Sequence, residues 1–180
     1  MIILASSSAT RAKILQDSGI DFQQISFDFD ESMIDKNQAP NKYVLNVVRS
    51  KKEQFFKAHN QYKNVLFADS CVVCDGKILG KARDENHARK LIKMQSNNTA
   101  SVVTAMIYIG DYELISVSET KFRFSEFKDS DIKEFIRSGE CMGKAGAMMI
   151  EGFNKKYIIS QQGTTQNAMG LDVRILKAFL

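Results

Sequence analysis

Residues 65–74 constrain this chain more than any other stretch. They read Val-Leu-Phe-Ala-Asp-Ser-Cys-Val-Val-Cys, apolar at both odd and even positions. A short run of this kind reads as a strand, and a strand without a polar parity is covered on both faces. Asp75-Gly76 follows at once, and Lys77 to Leu79 returns. The Asp-Gly pair supplies the positive φ of a type I′ turn, so a hairpin is expected here. One carboxylate, Asp69, sits within the covered strand. Burying a lone carboxylate is costly unless it is paired, hydrogen-bonded or bound to a cation. Asp69 therefore either marks a bulge or is tied to nearby backbone, or it is a metal ligand or general base.

Strand and helix patterns alternate through the rest of the chain. Met1 to Ala5 is a short apolar strand, and Ser8 is a natural N-cap for a helix through Ala12, Ile14 and Leu15 that Gly19 stops. Phe22 to Glu31 is irregular and leads to the loop around Pro40, the only proline. Asn41 to His59 reads as a long helix with an inward stripe of Val44, Val47, Val48, Phe55 and Ala58. Asp84 caps a helix that turns Ala88, Leu91 and Ile92 inward. Ala100 to Ile109 and Glu113 to Ser125 form a second hairpin across Gly110-Asp111, and Asp129 to Ser138 is a helix ended by Gly139. Short strands are expected around Met148 to Ile150 and Tyr157 to Ser160, then a helix from Asp172 burying Val173, Leu176 and Phe179. The expectation is one mixed α/β domain over residues 1–180, long enough to need no disulfide or metal staple.

Composition removes several function classes. Cys71 and Cys74 make a C-x-x-C, but on a strand residues three apart face opposite sides, and no second pair exists. They read as reduced core residues. His59 and His87 lack metal-ligand spacing. The formal net charge is +4, with basic residues scattered rather than striped. That suits a small anionic ligand better than a nucleic-acid groove. No apolar stretch approaches the roughly 18 residues of a membrane span, and the start lacks a basic signal-peptide region. A cytoplasmic protein is expected.

Several residues could carry chemistry. Backbone N–H groups at the first helix favour an anion, the hydroxyls of Ser6, Ser8 and Thr10 add donors, and Arg11 offers a forked clamp for a phosphate. Lys51 falls on the apolar stripe, one turn from Val47 and Phe55, so it must snorkel or meet an anion. Spacing alone favours snorkelling. Lys81, after Gly80, is ambiguous by itself, and Asp28, Asp30 and Glu31 are either a solvated loop or carboxylates for magnesium. Together they make a kit for phosphate chemistry: Arg11, Lys51 and Lys81 to neutralise a polyphosphate, Glu31 and Asp69 to hold a metal and activate water.

The order of motifs resembles the Maf family of nucleoside triphosphate pyrophosphatases. It is carried by Leu4-Ala5-Ser6-Ser7-Ser8 with Arg11, Asp30-Glu31, Arg49 with Lys51, Ala68-Asp69-Ser70, Asp75-Gly76, Gly80-Lys81, Lys144-Ala145-Gly146, Glu151-Gly152-Phe153 and Gly170-Leu171. The resemblance implies hydrolysis between the α and β phosphates with a divalent cation, Mg²⁺ or Mn²⁺. It implies an elongated mixed sheet, like that of inosine triphosphatases, with packed helices and a central cleft, often as a homodimer. Asp69 is then the proton acceptor, Ser6, Ser8, Arg11, Lys51 and Lys81 contact phosphates, and Glu31 and Asp69 lie at the metal. The odds on Lys51 reverse accordingly. The family loop usually carries a proline where Ala9 stands, and proline is also usual at Ala82 and Asp172.

In this family the positions of Thr10, Ser70 and Glu151 are associated with base choice, and the branch acting on 7-methyl-GTP has a Glu-Gly-Phe run. An ionised Glu only accepts hydrogen bonds, which suits the paired donors of a guanine edge. The lean is to a guanine-like base, with dTTP and UTP as the alternative. The implied cellular role is keeping modified nucleotides out of nucleic acids, and a part in cell-division arrest. The rival class is a non-catalytic nucleic-acid-binding division regulator. Glu31 and Asp69 argue against it, since carboxylates repel a phosphate backbone, so no stable nucleic-acid complex and no membrane partner are expected.

Overall fold

A computed structural model describes residues 1–180. The elements run β1 (Ile2–Ala5), α1 (Ala9–Asp17), β2 (Phe22–Ile25), α2 (Pro40–Ala58), β3 (Val65–Cys74), β4 (Lys77–Leu79), α3 (Glu85–Gln95), β5 (Thr99–Ile109), β6 (Glu113–Phe124), α4 (Asp129–Arg137), a 3-10 turn (Phe153–Tyr157), β7 (Ile158–Gln162), α5 (Thr165–Ala168) and α6 (Val173–Phe179). The strands order β2-β1-β3-β5-β6-β7, with β4 added to β3. β1 is parallel to β2 and β3, while β4 and β7 return antiparallel beside β3 and β6. This is the mixed α/β architecture that the alternating patterns imply. Asp75 and Gly76 sit at φ 50° and 70°, the left-handed pair that a type I′ turn demands.

The chain forms two compact units, one of Met1–Ser70, Thr104–Ser118 and Met169–Leu180, the other of Cys71–Val103 and Glu119–Ala168. In the first, Ile2 and Leu4 of β1, Ile14 and Leu15 of α1, and Leu66 of β3 share a core with Leu171, Val173 and Leu176. The stripe of α2 is buried as expected at Val44, Val47, Val48 and Phe55, but Ala58, expected inward, is exposed in the last turn of the helix. Phe55 packs edge-on to Phe67 and Phe27 and lies 4.9 Å from the ring of His59, which ends α2 inside an aromatic cluster. Ala39 offers no capping side chain, and Pro40 takes the first helical position. A proline there forfeits no helix hydrogen bond and brings a preset φ. The lone proline starts the helix that carries Lys51.

The second unit holds Val72, Leu79, Leu91, Ile92, Phe122, Phe124 and Ile132 in its core. Here the structure corrects the strand expected at residues 148–150. Gly146 and Ala147 lie at φ 61° and 51°, which reverses the chain before any ladder can form. Two buried amides serve the backbone instead: Gln95 Nε2 donates to the Gly146 carbonyl at 2.6 Å, and Asn154 Oδ1 accepts from the Met149 N–H at 2.8 Å. The following strand begins only at Ile158, because residues 153–157 coil so that Phe153 stacks on Phe135 at 4.5 Å. Two further differences are small. Phe22–Ile25 is an edge strand, half-exposed and so weakly patterned. Phe179, expected inside, is 38% exposed beside Tyr108. All three cysteines are free and buried. No helix is long and apolar enough to cross a membrane.

Candidate active site

Where β1 ends, Ser6 is buried and its Oγ accepts both the Ser8 N–H at 3.2 Å and Arg11 Nη1 at 3.3 Å. Ser8 caps α1 through the Arg11 N–H at 3.3 Å. Both hydroxyls thus use acceptor sites to shape the loop and keep a proton to donate. Arg11 Nε donates to the Gly170 carbonyl at 2.9 Å. That carbonyl comes from a residue at φ +113°, where an added Cβ would stand 3.3 Å from Arg11 Nε. Burial pulls the Arg11 pKa below the usual guanidinium value, and the carboxylates of Asp69 and Glu31 pull it back up. Arg11 stays charged at neutral pH. Thr10 lies half-buried in the same first turn.

Lys51 does not snorkel. Its Nζ lies 2.7 Å from Asp69 Oδ1 and 2.8 Å from Glu31 Oε1, with the Phe29 ring centroid 5.4 Å away. The side chains of Lys51 and Asp69 are only 11% and 18% exposed, and that of Glu31 is 43%. The covered strand therefore tolerates Asp69 because a lysine from α2 meets it. Of the acidic cluster, only Glu31 joins this network by an ion pair. The Asp30 carboxylate turns back onto Ser32, whose hydroxyl first and N–H (2.8 Å) second hold it below the usual carboxylate range.

Ser70 shares a hydrogen bond of 2.8 Å with the Thr104 hydroxyl on β5, and its Oγ lies 3.6 Å from where a Cβ at Gly170 would stand. Thr104 was not indicated by the sequence pattern, and Gly170 entered only as part of a family motif with no role assigned, because both meet the site from far along the chain. The first unit thus gathers Ser6, Ser8, Arg11, Glu31, Lys51 and Asp69. Lys81 and Glu151 belong to the second unit. Lys81 is exposed just past β4, in a bridge with Ala145. Glu151 is exposed too, but its neighbours are committed to packing: a Cβ on Gly152 would meet Met149 Sδ at 2.8 Å, and Phe153 is in the ring stack.

Two carboxylate oxygens touching one ammonium converge on a single cation-sized position. Nowhere do three His, Cys, Asp or Glu side chains gather into a complete cage. Mg²⁺ is commonly held by one or two carboxylates and completed by substrate phosphates and water. The donor set of Glu31 and Asp69 fits such an ion, Mg²⁺ or Mn²⁺.

A family model described as Maf-like protein matches residues 1–180. The chain belongs to the Maf family. This is the family that the motif order suggests. A Campylobacter jejuni protein named nucleoside triphosphate pyrophosphatase is 40% identical over 184 residues, covering 100% of this chain and 100% of that one. A Clostridium perfringens protein named dTTP/UTP pyrophosphatase is 35% identical over 178 residues, covering 97% of this chain and 93% of its own length. Among solved structures, the Staphylococcus aureus Ham1 protein aligns at TM-score 0.45 and 18% identity, over 71% of this chain and 72% of that one.

Proposed function

We propose that this Maf-family chain hydrolyses nucleoside triphosphates between the α and β phosphates, releasing the monophosphate and pyrophosphate. The observation that carries the reading is the contact of Lys51 with Asp69 and Glu31, beside an Arg11 held by Gly170. Arg11 has Nε committed to a carbonyl and one Nη1 bond to Ser6, and its remaining N–H groups are donors for phosphate oxygens. Ser6 and Ser8 donate their hydroxyl protons to the same anion, and Lys51 and Lys81 add positive charge as bonding shifts toward the leaving pyrophosphate. Asp69 accepts the proton of a water whose oxygen forms the new bond to the α phosphorus, while the bond to the bridging oxygen breaks. Glu31 and Asp69 hold the divalent cation, which when bound offsets phosphate charge and makes water more acidic.

For the base, Thr10, Ser70 and Glu151 are the proposed selectors. An exposed Glu151 that only accepts hydrogen bonds supports a guanine-type edge, 7-methyl-GTP included. A second reading, dTTP and UTP, is supported by the name of the Clostridium perfringens relative and by the packing roles of Gly152 and Phe153. The proposed cellular consequence is removal of unwanted nucleotides before polymerisation. Pyrophosphate release with Mg²⁺ is the test, run on UTP, dTTP, GTP and 7-methyl-GTP. The wild type should turn over at least one of them, and Asp69→Asn should be slower by roughly 10²–10⁴-fold. A wild type that is inert on all four nucleotides refutes the activity, and equal measurable rates for the two proteins refute the role of Asp69. Faster turnover of UTP and dTTP than of 7-methyl-GTP refutes the guanine reading.

A further inference from the structure

Glu31 lies between β2 and α2 in a stretch without helix or strand, so its approach to Lys51 needs an anchor. Gln54, on α2 one turn beyond Lys51, grips the neighbouring residue by its main chain. Its Oε1 accepts the Asp30 N–H at 2.9 Å, and its Nε2 donates to the Asp30 carbonyl at 2.7 Å. A primary amide offers acceptor and donor side by side, so it pairs with the N–H and C=O of a single residue as a facing residue on an adjacent strand would. Nε2 also donates to Ser50 Oγ at 2.9 Å, which fixes the amide from its own helix. Beyond the grip, Asp30 Oδ1 accepts the Ser32 N–H at 2.8 Å, and the Glu31 carbonyl accepts the Ile34 N–H at 3.1 Å. Residues 30–34 are therefore a small self-bonded turn attached to α2 at two points, by Gln54 at the main chain of residue 30 and by Lys51 at the Glu31 carboxylate.

We propose that Gln54 is a positioning residue, one that sets the backbone of residue 30 so that Glu31 presents its carboxylate beside Asp69. The inference rests on the pyrophosphatase reading above, acts through Glu31 and involves no contact with substrate. The test is a double-mutant cycle with Gln54→Ala, Gln54→Glu and Glu31→Gln, read by pyrophosphate release and by hydrogen exchange. Losing two neutral hydrogen bonds should lower kcat/KM of Gln54→Ala roughly five- to thirtyfold. Gln54→Glu keeps an acceptor for the Asp30 N–H but sets a carboxylate oxygen against the Asp30 carbonyl, so it should lose at least as much as Gln54→Ala. In the Glu31→Gln background, Gln54→Ala should add less than about a twofold loss, because its route of action is already cut. Hydrogen exchange in residues 30–34 should quicken in Gln54→Ala, while residues 43–48 of the same helix stay protected. Unchanged exchange in residues 30–34, or an equal loss in both backgrounds, overturns the proposal. A wild type that releases no pyrophosphate instead refutes the activity, and the exchange experiment still decides whether Gln54 holds the turn.

Discussion

Replacing Lys51 with methionine tests the centre of the site. Methionine keeps the unbranched apolar stem within α2 and removes only the ammonium. In the wild type that ammonium touches Asp69 at 2.7 Å and Glu31 at 2.8 Å. Removing one partner from a fully buried ion pair costs about 3–5 kcal/mol. Glu31 is 43% exposed, so its share is largely screened, and most of the cost falls on Asp69 at 18% exposure. The expected destabilisation is about 2 kcal/mol, a fall in Tm of about 4–8 °C for a chain of this size. The two carboxylates then face each other without a cation. Mn²⁺ at about a hundred times its Kd should return about 2.7 kcal/mol to the variant. In the wild type Lys51 already stands between the oxygens, so the same addition should raise Tm much less. Scanning calorimetry of wild type, Lys51→Met and Lys51→Met/Asp69→Asn, with and without Mn²⁺, reads all of this. A Lys51→Met protein as stable as wild type without metal refutes the reasoning, as does an equal Mn²⁺ response in all three.

Alanine at Gly170 must adopt φ +113° and press its Cβ to 3.3 Å from Arg11 Nε; a stability loss above about 1 kcal/mol is expected, with a higher KM for nucleotide, and an unchanged KM counts against Arg11 being set by this carbonyl. Asp131 is hydrogen-bonded by Lys156 and Tyr157, which hold its carboxyl below the usual range. Because the folded value is the lower one, this contribution is complete above the unfolded carboxylate pKa of about 3.9 and fades as pH falls toward the folded value. The Tm gap between wild type and Asp131→Asn should therefore be steady from pH 7 to about pH 4 and narrow below it; a gap that stays constant at pH 2–3 contradicts the pairing. Cys71, Cys74 and Cys141 are all buried, and burial raises the thiol pKa of Cys74 and Cys141. Ellman's reagent should react slowly with the native protein and fully in guanidinium, and rapid native labelling would show that the core opens.

Much of this architecture is legible where local chemistry decides it. The Asp-Gly turn, the Ser8 and Asp84 caps and the α2 stripe as far as Phe55 each depend on residues within a few positions of one another, and each forms as the pattern implies. Lys51 and Asp69 stood out for the same reason, as charges in apolar patterns. Glu31 was visible only as one of three acids in an unpatterned segment, since nothing periodic surrounds it. Gln54 was invisible because a half-buried glutamine on a helix is ordinary until the loop it holds is known. The strand expected at residues 148–150 failed because hydrophobicity reported burial correctly, while Gly146, Ala147 and two distant amides decided how the backbone was satisfied.

The bond from Arg11 to Gly170 joins residues 159 positions apart, and the core under β1 is completed by Leu171, Val173 and Leu176. During synthesis, β1 and α1 emerge long before Leu171, Val173 and Leu176, and cannot complete that core until those residues leave the ribosome. The arginine proposed to grip phosphate is likewise unset until Gly170 has been made. Contacts of such long range slow folding and leave apolar surface exposed meanwhile. The proposed grip on nucleotide is thus a late event in the life of each molecule, acquired only when residues 11 and 170 meet.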